Sequence, residues 1–254
     1  WGGLTGGILG TIPSTIVPAA AGMYIVGGEI ALIKSMAIIP LGMLVNGIFL
    51  TVWIILPPHL SQKANPLLIT TISALIIWTL SAIIMLKVAD IALDNDLSPG
   101  TLGLIGLLML LFLSVIVNWR ATETPKGKHP VSLIVLICRG LAAAIAIAIA
   151  VWLSSQGQPL VAGIAAVFPA IFLTSMVALW ISQGEAVPTG AIGPMMLGAM
   201  SVSLYALLIA VFYPMSSSTL TLAGACVAGW LLAVAGVNLP TWLWLRRRAG
   251  IATD

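Results

Sequence analysis

Twenty consecutive uncharged residues, most of them apolar, separate Pro66 from Lys87. A bilayer core about 30 Å thick takes about 20 helical residues to cross, and it offers no water to satisfy an irregular backbone. Runs of this kind recur along the chain, at roughly 3–26, 30–56, 66–88, 99–119, 131–153, 160–182, 188–213 and 219–245. The links between them are short and rich in turn formers, as in Pro57-Pro58, Asp94-Asn95-Asp96, the stretch from Thr122 to Pro130, and Gln156-Gly157-Gln158-Pro159. No soluble domain fits between the runs. The expected fold is therefore all-α, a polytopic membrane protein of about eight transmembrane helices forming one membrane domain over residues 1–254.

Composition excludes the main alternatives. Only 7% of the residues are charged, against about 25% in soluble domains, and 60% are hydrophobic. The net charge of +3 is no nucleic-acid signal, because the basic residues gather in links and in the run Arg246-Arg247-Arg248. Cys138 and Cys226 lie in apolar runs without CxxC spacing and read as packing residues. The first apolar run lacks a basic leader and outlasts a signal-peptide core, so no cleavable signal peptide is expected.

Charge also orients the spans. Lys63, the cluster Arg120, Lys126, Lys128 and His129, and the terminal arginines would share one face, while Asp90, Asp94 and Asp96 would share the other, with Lys87 as the exception. By the positive-inside rule the basic face is cytoplasmic, which puts both termini inside, in a bacterial inner (plasma) membrane.

Two glutamates stand inside this apolar chain in the same local pattern. Pro13, Gly28, Glu29, Gly42 and Pro58 recur 156 residues later as Pro169, Gly184, Glu185, Gly198 and Pro214, and Gly7-Ile8 recurs as Gly163-Ile164. The remaining identity between the copies is low, so the weight rests on the rarer Pro, Gly and Glu. Internal duplication of a hydrophobic chain is a mark of transporter folds. With eight spans the two copies run in opposite directions. The expected arrangement is an inverted repeat, helices 1–3 in residues 1–88 and helices 6–8 in residues 158–254, around a central helix pair in 89–157.

Pro13 and Pro169 fall near the middle of their spans, where proline removes a donor and breaks the helix. The carbonyls it frees must bond within the protein or line a cavity. Thr11, Ser14 and Thr15 surround Pro13, Pro18 follows, and Asn46 is a polar group in span two. Thr11, Pro13, Ser14, Thr15, Asn46 and Pro169 are thus candidates for substrate binding. The competing reading is a packing kink whose hydroxyls bond back to their own helix. Glu29 and Glu185 each follow a glycine at a helix end. They read either as interfacial carboxylates at the start of the next helix or as paired gates whose partial burial would favour protonation. Lys34 and Arg139 enter apolar spans, where a charge faces a partner or snorkels to the headgroups. Lys34 is placed to meet Glu29 and Arg139 to meet Glu185. Thr70, Thr71, Ser73 and Asn238 read as interhelical bonds, and Trp119, Trp242 and Trp244 as interfacial anchors.

The 3+2+3 arrangement with inverted outer triplets resembles the ZIP family of divalent-metal transporters. Gly3-Leu4-Thr5-Gly6-Gly7, continuing to Gly10-Thr11-Ile12-Pro13, is similar to that family's small-residue first helix. The resemblance implies an eight-helix transporter architecture over nearly the whole chain. It carries no ligands, because the family's histidines and acids on its fourth and fifth helices have no counterpart in span four, ending Leu111 to Asn118, or beside Cys138 and Arg139 in span five. His59 and His129 both fall outside the spans, and the expected orientation of the termini is opposite to that family's. No metal and no cofactor is expected.

The leading expectation is a secondary transporter moving a small solute or ion by alternating access, with proton coupling through the glutamates. The second is a non-transporting scaffold or accessory subunit of a membrane complex. An enzyme is not expected, since no Ser/His pair, paired aspartates or metal centre falls within a span. The partners are the lipid bilayer and the transported solute, not nucleic acid, and a homodimer is compatible with this reading. If the glutamates couple protons, Glu29→Gln and Glu185→Gln shift the pH profile of uptake into reconstituted vesicles, whereas unchanged profiles in both remove them from the mechanism.

Overall fold

The computed structural model describes residues 3–60, 65–119, 132–216, 221–248 and 250. Among them there is no strand. The helices are α1 (Gly3–Leu9), α2 (Ile16–Ile55), α3 (Pro66–Asp94), α4 (Pro99–Val117), α5 (Leu133–Ser155), α6 (Pro159–Ala166), α7 (Ala170–Gln183), α8 (Ala186–Leu207), α9 (Tyr213–Ser216), α10 (Leu222–Ala233) and α11 (Leu239–Arg248). A 3-10 turn, Pro57–His59, follows α2. π-turns at Leu208–Phe212 and Val234–Asn238 carry α8 into α9 and α10 into α11 without a break in direction.

Seven of these segments are long and apolar enough to cross a membrane, as in an integral membrane protein. The first, Ile16–His59, is 44 residues long. At about 1.5 Å per residue that is about twice the thickness of a hydrocarbon core. It is bent at Gly28, whose φ of 70° and ψ of −169° are accessible to glycine and strained for other residues. Counted on either side of Gly28, with α1 and residues 16–27 as one stretch and residues 29–55 as another, seven or eight segments could cross a membrane. Gly184, with φ 83° and ψ 173°, makes the same turn between α7 and α8.

Contacts sort the helix ends into two faces. On one, the Gly28 face, Ser35 donates to the Pro159 carbonyl at 2.9 Å, and the rings of Tyr24 and Tyr213 meet edge to face. On the other, the Arg248 face, Trp242 Nε1 donates to Thr5 at 3.3 Å, and Trp53 meets Trp180 edge to face. Arg248 donates from its two terminal nitrogens to the carbonyls of Asn118 and Trp119. The guanidinium thus satisfies carbonyls left open at the C-terminus of α4, where a cation is favoured. Lys63 and the cluster from Arg120 to His129 lie outside the described residues.

Two helices form the centre. Of the apolar stretches that could cross a membrane, those of α2 and α8 are 72% and 67% buried, against 6% for α5. The exterior of α5 presents Ile134, Leu141, Ile145 and Ile149, which suits hydrocarbon rather than water. With no hydrophobic drive between helices in lipid, contact depends on close backbone approach. Gly103 and Gly106 of α4 supply it: a Cβ on Gly106 would stand 2.8 Å from the Leu41 nitrogen of α2. The boundaries differ from expectation at α3, which runs to Asp94 rather than residue 88. Asp90 and Asp94 are therefore helical, and the link to α4 is only residues 95–98. Nothing in the apolar pattern marks this extension, because a helix end outside the core needs no apolar residues.

Gly106→Ala is expected to cost about 1–3 kcal/mol by overpacking against α2. Gly140→Ala, where an added Cβ meets nothing within 4 Å, is expected to be neutral or stabilising by about 0.5–1 kcal/mol. Denaturant unfolding in detergent micelles measures both.

Candidate functional site

Both prolines end helices. Residues 10–15 separate α1 from α2 around Pro13, and residues 167–169 separate α6 from α7 at Pro169. The short arms α1 and α6 start from opposite faces, so each break lies part-way across the bundle from its own side. Between the breaks is a cavity of about 70 Å³, which both of them line. From the first break Thr11 and Thr15 line it, from the second Val167 and Pro169, and Asn46 and Met43 close it from α2.

The freed carbonyls are held by side chains from the opposite part of the chain. Asn46 Nδ2 donates to the Val167 carbonyl at 2.8 Å, while Asn46 Oδ1 accepts from Trp78 Nε1 at 2.8 Å. Ser201 Oγ shares its proton between the carbonyls of Thr11, at 3.1 Å, and Gly198, at 2.7 Å. The Ile8 carbonyl accepts from the Thr11 hydroxyl at 2.8 Å and from Asn238 Nδ2 at 3.4 Å. Trp78 also packs edge to face on Phe168 of the second break, with ring centroids 5.1 Å apart.

Glycines let these pieces approach. A Cβ on Gly7 would touch Ala191 and Pro194 of α8, and one on Gly163 would touch Ser35 and Ile38 of α2. A Cβ on Gly198 would touch Ile8 and Thr11, and one on Gly42 would touch Ile164 and Val167. Adding 156 to the lower-numbered residues of the Gly7 or Gly198 contact, and subtracting 156 from the higher-numbered ones, gives the Gly163 or Gly42 contact. Thus α1 packs on α8, and α6 packs on α2.

The structure brings Thr11, Thr15, Asn46 and Pro169 together at the cavity. Pro13 is buried in the first break without lining it, and Ser14 is exposed. Glu29 begins the helix after Gly28, and Glu185 precedes α8 after Gly184 without a side-chain capping bond, both exposed. Their placement at helix N-termini favours a carboxylate electrostatically. Among the described residues neither Lys34 and Glu29 nor Arg139 and Glu185 come within 4.0 Å of each other. Lys34 instead faces a separate hollow with Asp90 and Asp96, and Arg139 is half-buried on α5 with its Nε unbonded. Ser201 and Trp78 were not singled out from the sequence. The 156-residue offset expected from the sequence points near Ser201, which is one residue short of the image of Asn46, but Trp78 has no comparable mark.

No group of three or more His, Cys, Asp or Glu among the described residues is placed to hold a metal ion. Comparison with models of protein families, with curated proteins and with solved structures finds no match for the chain.

Asn46→Leu leaves the Val167 carbonyl and the Trp78 N–H unpaired and is expected to cost about 1–3 kcal/mol. Trp78→Phe combined with it costs less than the sum of the two, since they share one bond. A double-mutant cycle by unfolding in micelles reads the coupling.

Proposed function

We propose that the chain is a secondary transporter that moves a small solute or ion by alternating access between inverted copies, residues 1–88 and 158–254. The observation that carries this reading is the cavity between two broken helices, one from each copy, part-way across the bundle. Transporters with inverted repeats hold substrate where discontinuous helices meet near the bilayer midplane. The paired glycine contacts support the repeat, because each copy lays its short first arm on the other's second helix. Two copies so related can exchange conformations, which opens one side as the other closes.

The cavity is small. At about 30 Å³ per water, it holds about two water molecules. That suits a dehydrated ion or a very small solute. Its polar side chains are those of Thr11, Thr15 and Asn46, without a carboxylate or imidazole. Neutral oxygens suit a neutral solute or a hard ion better than a transition metal. We place the protein in a bacterial inner membrane with the Arg248 face cytoplasmic, on the strength of the basic run at 246–248. Exposure of Glu29 and Glu185 favours their reading as helix-start carboxylates over buried proton sites.

One observation favours the scaffold reading: the carbonyls freed at the breaks are already bonded within the protein. Site-directed labelling separates the two. With Cys138→Ser and Cys226→Ala as background, Thr15→Cys in reconstituted vesicles is expected to react with a membrane-impermeant maleimide from one side. A folded protein whose Thr15→Cys thiol stays unreactive from both sides would overturn transport in favour of a scaffold.

A further inference from the structure

The neighbours α3 and α4 are joined by residues 95–98, yet both pack mainly on α2 and little on each other. Two hollows lie along the gap that results. The first, of about 660 Å³, is at the Gly28 face and carries Lys34 of α2, Asp90 of α3 and Asp96 of the link, above walls that include Ile38, Leu93 and Leu102 and are completed by residues 157–161 at the start of α6. All three charged side chains are exposed, and among the described residues no ion pair within 4.0 Å joins them. The second hollow, of about 510 Å³, is lined by apolar side chains alone, among them Leu44 and Ile48 of α2, Met85 of α3, and Ile105, Leu108 and Phe112 of α4.

Residue numbers place the second hollow beneath the first on all three helices. From the Gly28 face inward, Leu44 lies six residues beyond Ile38, Met85 five residues beyond Asp90, and Ile105 three residues beyond Leu102. At about 1.5 Å per residue these steps are about 9, 7.5 and 4.5 Å. The groove continues to Leu113, about 16 Å below Leu102. A charged hollow at the headgroup level therefore lies above an apolar groove at acyl-chain depth.

We infer that the α3–α4 gap seats one bilayer phospholipid with a primary-ammonium, zwitterionic headgroup. Its phosphate pairs with Lys34, its ammonium donates to Asp90 and Asp96, and one acyl chain fills the groove. Opposite charges held apart in one hollow complement a headgroup that carries both signs, and charge-assisted hydrogen bonds need the N–H donors that a quaternary ammonium lacks. This seat is separate from the cavity between the helix breaks and does not depend on the transport reading.

Native mass spectrometry of the full chain from detergent, supplemented with phosphatidylethanolamine, phosphatidylcholine or phosphatidylglycerol, tests it. The expected result is a one-lipid adduct favouring phosphatidylethanolamine. Asp90→Asn with Asp96→Asn should weaken that adduct about tenfold while sparing phosphatidylglycerol. Lys34→Gln weakens every phospholipid adduct, and Ile105→Trp, which fills the groove, does the same with the charges intact. Since the three charged side chains are exposed, unchanged thermal unfolding is expected for their variants and serves as the folding control. Equal adducts for all three lipids, or adducts indifferent to these substitutions, would overturn the inference. So would a lipid-free dimer that Ile105→Trp dissociates, which would assign the groove to a second copy.

Discussion

An unpaired peptide carbonyl in hydrocarbon costs several kcal/mol, and this constraint governs how the two helix breaks can exist. Neither break is satisfied by its own helix alone. Asn46 reaches across to the Val167 carbonyl, and Ser201 reaches across to Thr11. Each bond adds little net stability in a membrane, averaging about 0.6 kcal/mol, because an unfolded helix also finds partners. Their larger effect is to make each break depend on the other part of the chain. A shift of either break would therefore disturb bonds that hold the other part of the chain.

Close packing follows from the same constraint. For Asn46 and Ser201 to reach their carbonyls, the short arms α1 and α6 must lie almost backbone to backbone on α8 and α2. Gly7, Gly163, Gly42 and Gly198 leave room for that, and Gly103 and Gly106 do the same for α4. The centre is consequently dense around α2 and α8, while α3 and α5 sit at the edge with apolar faces turned outward. That unevenness leaves the gap between α3 and α4, where a charged rim lies above an apolar groove.

Pro13 and Pro169 were legible as breaks because proline removes a specific bond whatever surrounds it. Gly28 and Gly184 were legible as turns for a similar reason, since few other residues tolerate their backbone angles. The polar partners were only partly legible. Asn46 stood out as an amide in an apolar run, but an isolated serine such as Ser201, or a tryptophan such as Trp78, is ordinary in a membrane helix. Lys34 shows the limit of pairing charges by sequence distance. Five residues separate it from Glu29, yet it shares a hollow with Asp90 of α3 and Asp96 of the link that follows.

The amino-acid sequence by itself determined the environment, the number of crossings to within one, and the positions at which helices must stop. Each of these is set by local chemistry: apolar length against bilayer thickness, missing donors at proline, and the backbone freedom of glycine. Only the tertiary structure decided which broken ends meet, which side chains satisfy them, and where space is left over. Those outcomes depend on how helices far apart in sequence lie against one another, and in lipid that is set by shape and a few hydrogen bonds.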